Sequence, residues 1–412
     1  MDRRQFLLQL FQRGLAAVNG RCCVHAALRT RKFSTPLYLV AIGKAADSMT
    51  AGALDAVGSQ LTSGLVITRY GHQDSPVYRD PRILLLEAGH PLPDEQSLAA
   101  GNALRLFLAS APLDAHFLFL ISGGASSLAE VPAEGISLAH LRTLSRWLLA
   151  SGLPIDAVNR VRSAFSRIKG GRLLADLGSR QADLLLISDV PGDVPEHIGS
   201  GLLLPPLPGP LPELPEQFAS LKPQWPLPQV PAGKVTVHML ATNLQARRAV
   251  EAAAADSVAH AQVHADFPAG DAATCGERIA EFMLRAEPGL HIWGGETVVR
   301  LPKHPGRGGR NQMLALAAAR KLAGHDGIQV LAAGTDGTDG NSNDAGALVD
   351  GGTLARGGDG GFDATDCLTR ADAGNFLEAS GDLVYTGPTG TNVMDLVIAY
   401  KHGAERGAAL GG

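Results

Sequence analysis

Four short apolar runs each end in a turn of small residues and pass into a helical pattern. They are "LYLVAIGKAADSM" (37–49), "LTSGLVITRYGH" (61–72), "HFLFLISGGASSLA" (116–129) and "DLLLISDVPGD" (183–193). Strands this uniformly apolar, each followed by turn and helix, fit a parallel sheet covered on both faces, and so an α/β layered fold. In such sheets ligands bind outside the carboxyl ends of the strands, where these turns lie. A chain of 412 residues exceeds what one core organises. Between Leu202 and Gly233 proline is too frequent for a helix or a central strand to persist. The domain boundary is expected there, giving an N-terminal α/β domain over 1–232 and a smaller C-terminal α/β domain over 233–412.

Composition narrows the function classes. The net charge is −4 with basic and acidic residues mixed along the chain, which argues against a nucleic-acid-binding face or a polybasic membrane anchor. Cys22, Cys23, Cys275 and Cys367 lack the spacing of a zinc site or a disulfide framework, so a reducing cytoplasm fits best. The N-terminal "MDRRQFLLQLFQRGLAAV" carries Gln5, Gln9, Gln12 and Arg13 at helical spacing and reads as an amphipathic helix, not as a secretory signal. No apolar run approaches the roughly 20 residues that cross a bilayer.

The turns supply the chemistry. Gly43 and Lys44 sit where a strand gives way to a helix, a place suited to an anion. Ser122, Gly123, Gly124 and Ser126 combine pliable backbone, amides and hydroxyls suited to phosphate, and no serine there has the glycine bracket of a nucleophile elbow. Lys169 and Arg172 flank a Gly-Gly turn and could clamp a carboxylate or a phosphate. Asp189 ends an apolar run, as acidic residues beside anion loops do in phosphoryl-transfer enzymes. Glu296 follows two glycines, and Asp336, Asp339 and Asp344 share a Gly-rich loop suited to a metal or a polar ligand. Arg307 and Arg310 lie among glycines before Asn311 and a helical pattern, where a guanidinium can hold a phosphoryl group or a carboxylate. "TGPTGTNVMDLV" offers Thr389 and Asn392 ahead of an expected final helix with Asp395 in its first turns. For each motif a capping turn or a solvated side chain stands as the alternative.

Ten motifs, from "GKAADSM" through "AGHPLPDEQS", "RIKGGRL", "SDVPGD" and "GRGGRNQ" to "TGPTGTNVMDL", occur in one order from Gly43 to Val397. In this the chain resembles the class of glycerate 2-kinases with a C-terminal MOFRL domain. The resemblance implies a Rossmann-like N-terminal domain and ATP- and magnesium-dependent phosphorylation of D-glycerate at its 2-hydroxyl by direct transfer. It implies that Lys44 and Arg310 handle phosphate and that Asp189 orients or deprotonates the hydroxyl. Glu296 and Asp336 become candidates for magnesium. Gly43, the Ser122–Ser126 turn, Lys169, Arg307, Asn311, Thr389 and Asn392 become candidates for binding substrate or ATP. Ser163 and Ala164 stand where the family reads lysine and histidine, apolar Leu202–Leu204 replace a more polar stretch, and Met394 takes a frequently polar position. Two rivals remain at this stage. One is a non-catalytic protein that binds a hydroxy acid or nucleotide. The other is an NAD(P)H-dependent hydroxypyruvate reductase, a label relatives often carry, against which "AIGKAADSM" lacks the dinucleotide glycine fingerprint. The assembly, monomer or homodimer, stays open.

Overall fold

The computed structural model describes residues 2–225, 234–265, 267 and 270–403. The chain forms two compact units. One comprises Val18–Thr242 with Gly390–Val393; the other comprises the N-terminal segment to Ala17, Asn243–Thr389, and the chain from Met394 onward.

The first unit is built on six parallel strands: β1 (Leu37–Ile42), β2 (Leu61–Arg69), β3 (Ile83–Ala88), β4 (His116–Ile121), β5 (Gln181–Ile187) and β6 (Lys234–Ala241). Their order, β3-β2-β1-β4-β5-β6, is that of the Rossmann fold. Residues of both pleat faces are buried in β1, β4 and β5, as the uninterrupted apolar runs require. The order reverses between β1 and β4, so the turns after these two strands flank the topological switch point, where a crevice forms.

The expected boundary at 232/233 lies outside the described residues, and the units divide instead after Thr242. The reason is β6, which follows the proline-rich stretch yet pairs with β5. A polar bolt holds it. The buried carboxylate of Asp183 on β5 meets His116 Nε2 of β4 at 2.7 Å, His238 Nε2 of β6 at 2.9 Å and both terminal nitrogens of Arg31. These partners, working against burial, hold the Asp183 carboxyl far below the usual carboxylate range. Nor is the proline-rich stretch a bare linker. Phe218 and Leu221 bury against Leu144, Leu148 and Val161 of the same unit.

The second unit carries β7 (Ala261–Val263), β8 (Gly289–Gly295), β9 (Ile328–Gly334), β10 (Gly346–Asp350), β11 (Leu383–Val384) and β12 (Asp395–Lys401), in the order β11-β10-β9-β12-β8-β7. Among the described strands of this sheet only β7 and β8 pair in parallel. The expected final helix is therefore a strand. "DLVIAYK" is β-branched and aromatic, and it lies between β8 and β9, buried from Asp395 to Ala399. The helix Arg310–Leu322 is buried almost all round, as its Ala/Leu composition requires. The N-terminal helix, Arg3–Ala17, turns Leu7, Leu10, Phe11 and Leu15 inward and exposes the Gln5, Gln9, Gln12 and Arg13 face. It belongs to this second unit, although it precedes the first in sequence. Among the described residues no helix is long and apolar enough to cross a membrane.

Candidate active site

The sequence candidates fall into two sets, one on each unit. In the first unit, the turns after β1 and β4 interlock. Lys44 N–H donates to Gly123 O at 2.9 Å, and Ala45 N–H donates to Ser122 Oγ at 3.0 Å. Gly43 has φ +133°, and a Cβ there would stand 2.2 Å from Ser122 Oγ, so only glycine lets the turns close. Ser122 is fully buried, and its hydroxyl holds the two turns together. Gly124 starts the short turn of helix Ala125–Leu128, with the His90 ring over it. Ser126 Oγ lies 2.8 Å from Ser200 Oγ, whose hydroxyl donates to Asn159 Oδ1 at 2.9 Å.

Asp189 sits just past the end of β5. Its carboxylate lies so close to Gly123 that a Cβ on that glycine would stand 1.8 Å from Asp189 Oδ2. Asn392 Nδ2 donates to the same oxygen at 3.2 Å. The first glycine of the β4 turn is thus fixed by the carboxylate above it. Asn392 belongs to this unit through the anchored segment Gly390–Val393, where Gly390 O accepts from Gly20 N–H and Thr391 Oγ1 donates to Val18 O. Thr389, one residue earlier, belongs to the second unit, where its hydroxyl donates to Thr335 O.

Two sequence candidates prove to be committed elsewhere. Lys169 is buried and ion-paired with Glu130, which also accepts from Ser166 Oγ and Val131 N–H. Arg172 donates to Ser166 O and to Gln224. Burial of both cations replaces the solvated or anion-clamping turn expected of "RIKGGRL". Arg162, passed over in the sequence, belongs to the same charge cluster. Burial lowers its pKa, and the carboxylates of Asp189 and Glu130 oppose that shift.

In the second unit, Arg310 opens the helix Arg310–Leu322. Its Nε and Nη2 fork onto Asp395 at 2.5 and 3.1 Å, and Nη1 pairs with Glu296. Burial lowers its pKa, but Asp395 and Glu296 more than offset this and hold it above the ordinary arginine value. The free amides at the helix start are capped from a distant loop: Asp339 accepts from Asn311 N–H at 3.1 Å and from Gln312 N–H at 2.8 Å. Asn311 Nδ2 also turns to Asp339, at 3.3 Å. Burial pushes the Asp339 carboxyl up to about 7, against the pull of those N–H groups. Arg307 is tied to Asp344 at 2.8 Å and Glu378 at 2.7 Å, so it pins the loop, and both arginines expected to hold an anion are ion-paired with carboxylates of the protein. Asp336 Oδ1 accepts from Thr338 N–H and Oγ1, each at 3.1 Å. Among the described residues no group of three His, Cys, Asp or Glu side chains is arranged to hold a metal.

Glu130, Arg162, Asn159 and Ser200 were missed because their roles rest on partners far away in sequence. Asp395 was seen, but on the wrong element.

Residues 6–209 match a domain of unknown function, DUF4147, and residues 289–395 match the MOFRL family. A D-glycerate 2-kinase of Thermotoga maritima is 36% identical over 379 residues, covering 88% of this chain and 90% of that protein. An Agrobacterium vitis protein that carries a hydroxypyruvate reductase name is 36% identical over 422 residues, covering 96% and 94%. The crystal structure of glycerate kinase from Thermotoga maritima superposes with a TM-score of 0.80 at 32% identity, covering 97% of this chain and 99% of that one. With this identity sustained along nearly the whole length of both chains, the protein belongs to the glycerate 2-kinase family with a C-terminal MOFRL domain.

Proposed function

We propose that the protein transfers the γ-phosphoryl group of ATP to the 2-hydroxyl of D-glycerate, giving 2-phosphoglycerate and ADP in one in-line displacement. The observation that carries this reading is the carboxylate of Asp189, pinned against the glycine turn at the switch point of a Rossmann-type sheet, with Lys44 on the interlocked turn. The substrate hydroxyl oxygen bonds to the γ-phosphorus, the bond from that phosphorus to the bridging oxygen breaks, and the electron pair leaves with ADP. Asp189 orients the hydroxyl and accepts its proton. Lys44 and Arg310 stabilise the charge on the moving group. For Arg310 to do so, the phosphoryl oxygens compete with Glu296, whose side chain is 41% exposed, and not with Asp395, at 2%. The Asp395 fork then holds the guanidinium in register while Nη1 changes partner.

Magnesium is part of this proposal. With Glu296 engaged by Arg310, the two expected carboxylates form no protein-only cage, but the ion is commonly held by one or two carboxylates together with substrate phosphates. Asp336 fits as one such carboxylate. Bound there, the ion would neutralise charge on the β- and γ-phosphates. Four free thiols suit the reducing cytoplasm that we also propose.

The test is a coupled assay with D-glycerate, ATP and magnesium, read through enolase and pyruvate kinase without phosphoglycerate mutase. Glycerate-dependent signal supports the reading. ADP formed without enolase signal would move the transfer to the 3-hydroxyl. Oxidation of NAD(P)H by hydroxypyruvate with no ADP formed at all would replace the kinase by the reductase.

A further inference from the structure

The helix Ile155–Ala164 turns an unusual face inward. Asn159, Arg162 and Ser163 stand at i, i+3 and i+4, so they share one side of the helix. Asn159 and Ser163 are buried. Asn159 is satisfied, accepting from Ser200 Oγ and donating to His197 O at 3.4 Å, and through Ser200 it is linked to Ser126 of the glycine turn. The other two are not. Ser163 Oγ is buried without a hydrogen-bond partner, and the half-buried Arg162 guanidinium makes no hydrogen bond or ion pair among the described residues. A buried hydroxyl such as that of Ser163 is costly to leave unmatched, and buried polar atoms in native proteins nearly always have a partner. The neighbouring cations are in the opposite condition, with Lys169 on Glu130 and Arg172 on Ser166 O and Gln224.

The ligand chemistry follows from what surrounds Arg162. The two carboxylates within its electrostatic reach are Asp189 and Glu130. Glu130 is saturated by Lys169, Ser166 and Val131 N–H. Asp189 is the group assigned above to the acceptor hydroxyl. In a 2-hydroxy acid the carboxylate and the hydroxyl lie on adjacent carbons, so a residue that reads the carboxylate must stand beside the residue that engages the hydroxyl. A guanidinium presents a planar fork matched to a carboxylate.

We propose that Arg162 is the substrate-binding residue that holds the carboxylate of the 2-hydroxy acid, with the Ser163 hydroxyl as a second donor. This rests on the glycerate kinase reading and extends it. It makes the negatively charged 2-hydroxy carboxylates the substrate class, and it accounts for phosphorylation next to the carboxylate and not at the far hydroxyl. On this helix face Asn159 and Ser163 are uncharged, which leaves Arg162 as its cation.

The experiment compares wild type with Arg162→Ala, Arg162→Lys and Ser163→Ala in steady-state kinetics, with D-glycerate and its uncharged analogue glycerol as acceptors. For Arg162→Ala we expect KM for D-glycerate to rise about 100-fold, KM for ATP to stay within about 3-fold, and the preference for D-glycerate over glycerol to collapse. Arg162→Lys, which keeps the charge and guards against misfolding, should show the same pattern more weakly. Ser163→Ala should raise KM for D-glycerate a few-fold; a higher Tm with unchanged KM would remove Ser163 from the site. A folded Arg162→Ala or Arg162→Lys with D-glycerate KM unchanged, or with both KM values raised equally, overturns the role of Arg162. Wild type without glycerate-dependent turnover overturns the kinase reading instead. In that case calorimetric binding of D-glycerate, present in wild type and lost in Arg162→Ala, would still uphold the carboxylate site, and equal binding would sink it.

Discussion

The loop Gly306–Arg310 and the helix Ile155–Ala164 handle positive charge in opposite ways. Arg307 and Arg310 are each forked between two carboxylates, whereas Arg162 has none bonded to it among the described residues. A saturated arginine fixes its loop and must release a partner to reach a ligand. An unmatched one is set for a ligand at once, with no protein partner to displace. The difference separates two tasks, charge that organises a backbone and charge that recognises a substrate, and each can be tested by substitution.

The largest effect is expected at Asp189, which the account makes the proton acceptor. Asp189→Asn should lower kcat by about 10²–10⁴-fold without loss of fold, measured by steady-state turnover and circular dichroism. Retained turnover would return Asp189 to a purely structural place beside Gly123. Next is the saturated cation Lys169. Glu130→Gln leaves a buried ammonium without its counter-charge and should cost about 3–5 kcal/mol in urea unfolding. Adding Lys169→Met to that variant should recover much of the loss. No recovery would show that Glu130 acts through Ser166 and Val131 alone.

The helix start at Arg310 gives a pH test. The Asp339 carboxyl is raised to about 7 in the folded protein, so the folded state binds the extra proton. Its contribution is complete below about pH 4 and is lost as pH rises toward 7, with a slope of at most about 1.4 kcal/mol per pH unit. Asp339→Asn should flatten that part of the stability profile. A slope that survives the substitution belongs to another group. The smallest effect is expected at Arg307. Its Glu378 partner is 62% exposed, so Arg307→Lys should lower stability by no more than about 1 kcal/mol by thermal unfolding.

Much of this architecture could be read from the sequence where local pattern and tertiary role agree. The apolar runs ending at Ile42, Ile121 and Ile187 gave strands, and the glycine turns after the first two fell at the switch point, where the close approach at Gly43 and Gly123 admits little else. The start of the helix at Arg310 was likewise plain from the glycines before it and the Ala/Leu run after it. What failed depended on distance. β6 joins the first sheet through Asp183, His116 and His238, a contact no local window contains. "TNVMDL" looks like a helix cap, but β8 and β9 on either side make Asp395–Lys401 a strand. Lys169 read as a cation for a ligand anion because Glu130, 39 residues away, was invisible as its partner. Arg162 carries no local signal of its own, because the carboxylates near it, Glu130 and Asp189, lie 32 and 27 residues away in sequence.

The most direct measurement sets the two loop arginines side by side: kcat for glycerate-dependent ADP formation in Arg310→Lys and Arg307→Lys, with thermal midpoints taken on the same samples. Lysine keeps each charge and removes the fork. The account predicts that Arg310→Lys loses about 10²-fold or more in kcat while Arg307→Lys stays within about 2-fold of wild type. Equal turnover in the two variants would contradict it and would place Arg310, like Arg307, in the framework of the loop.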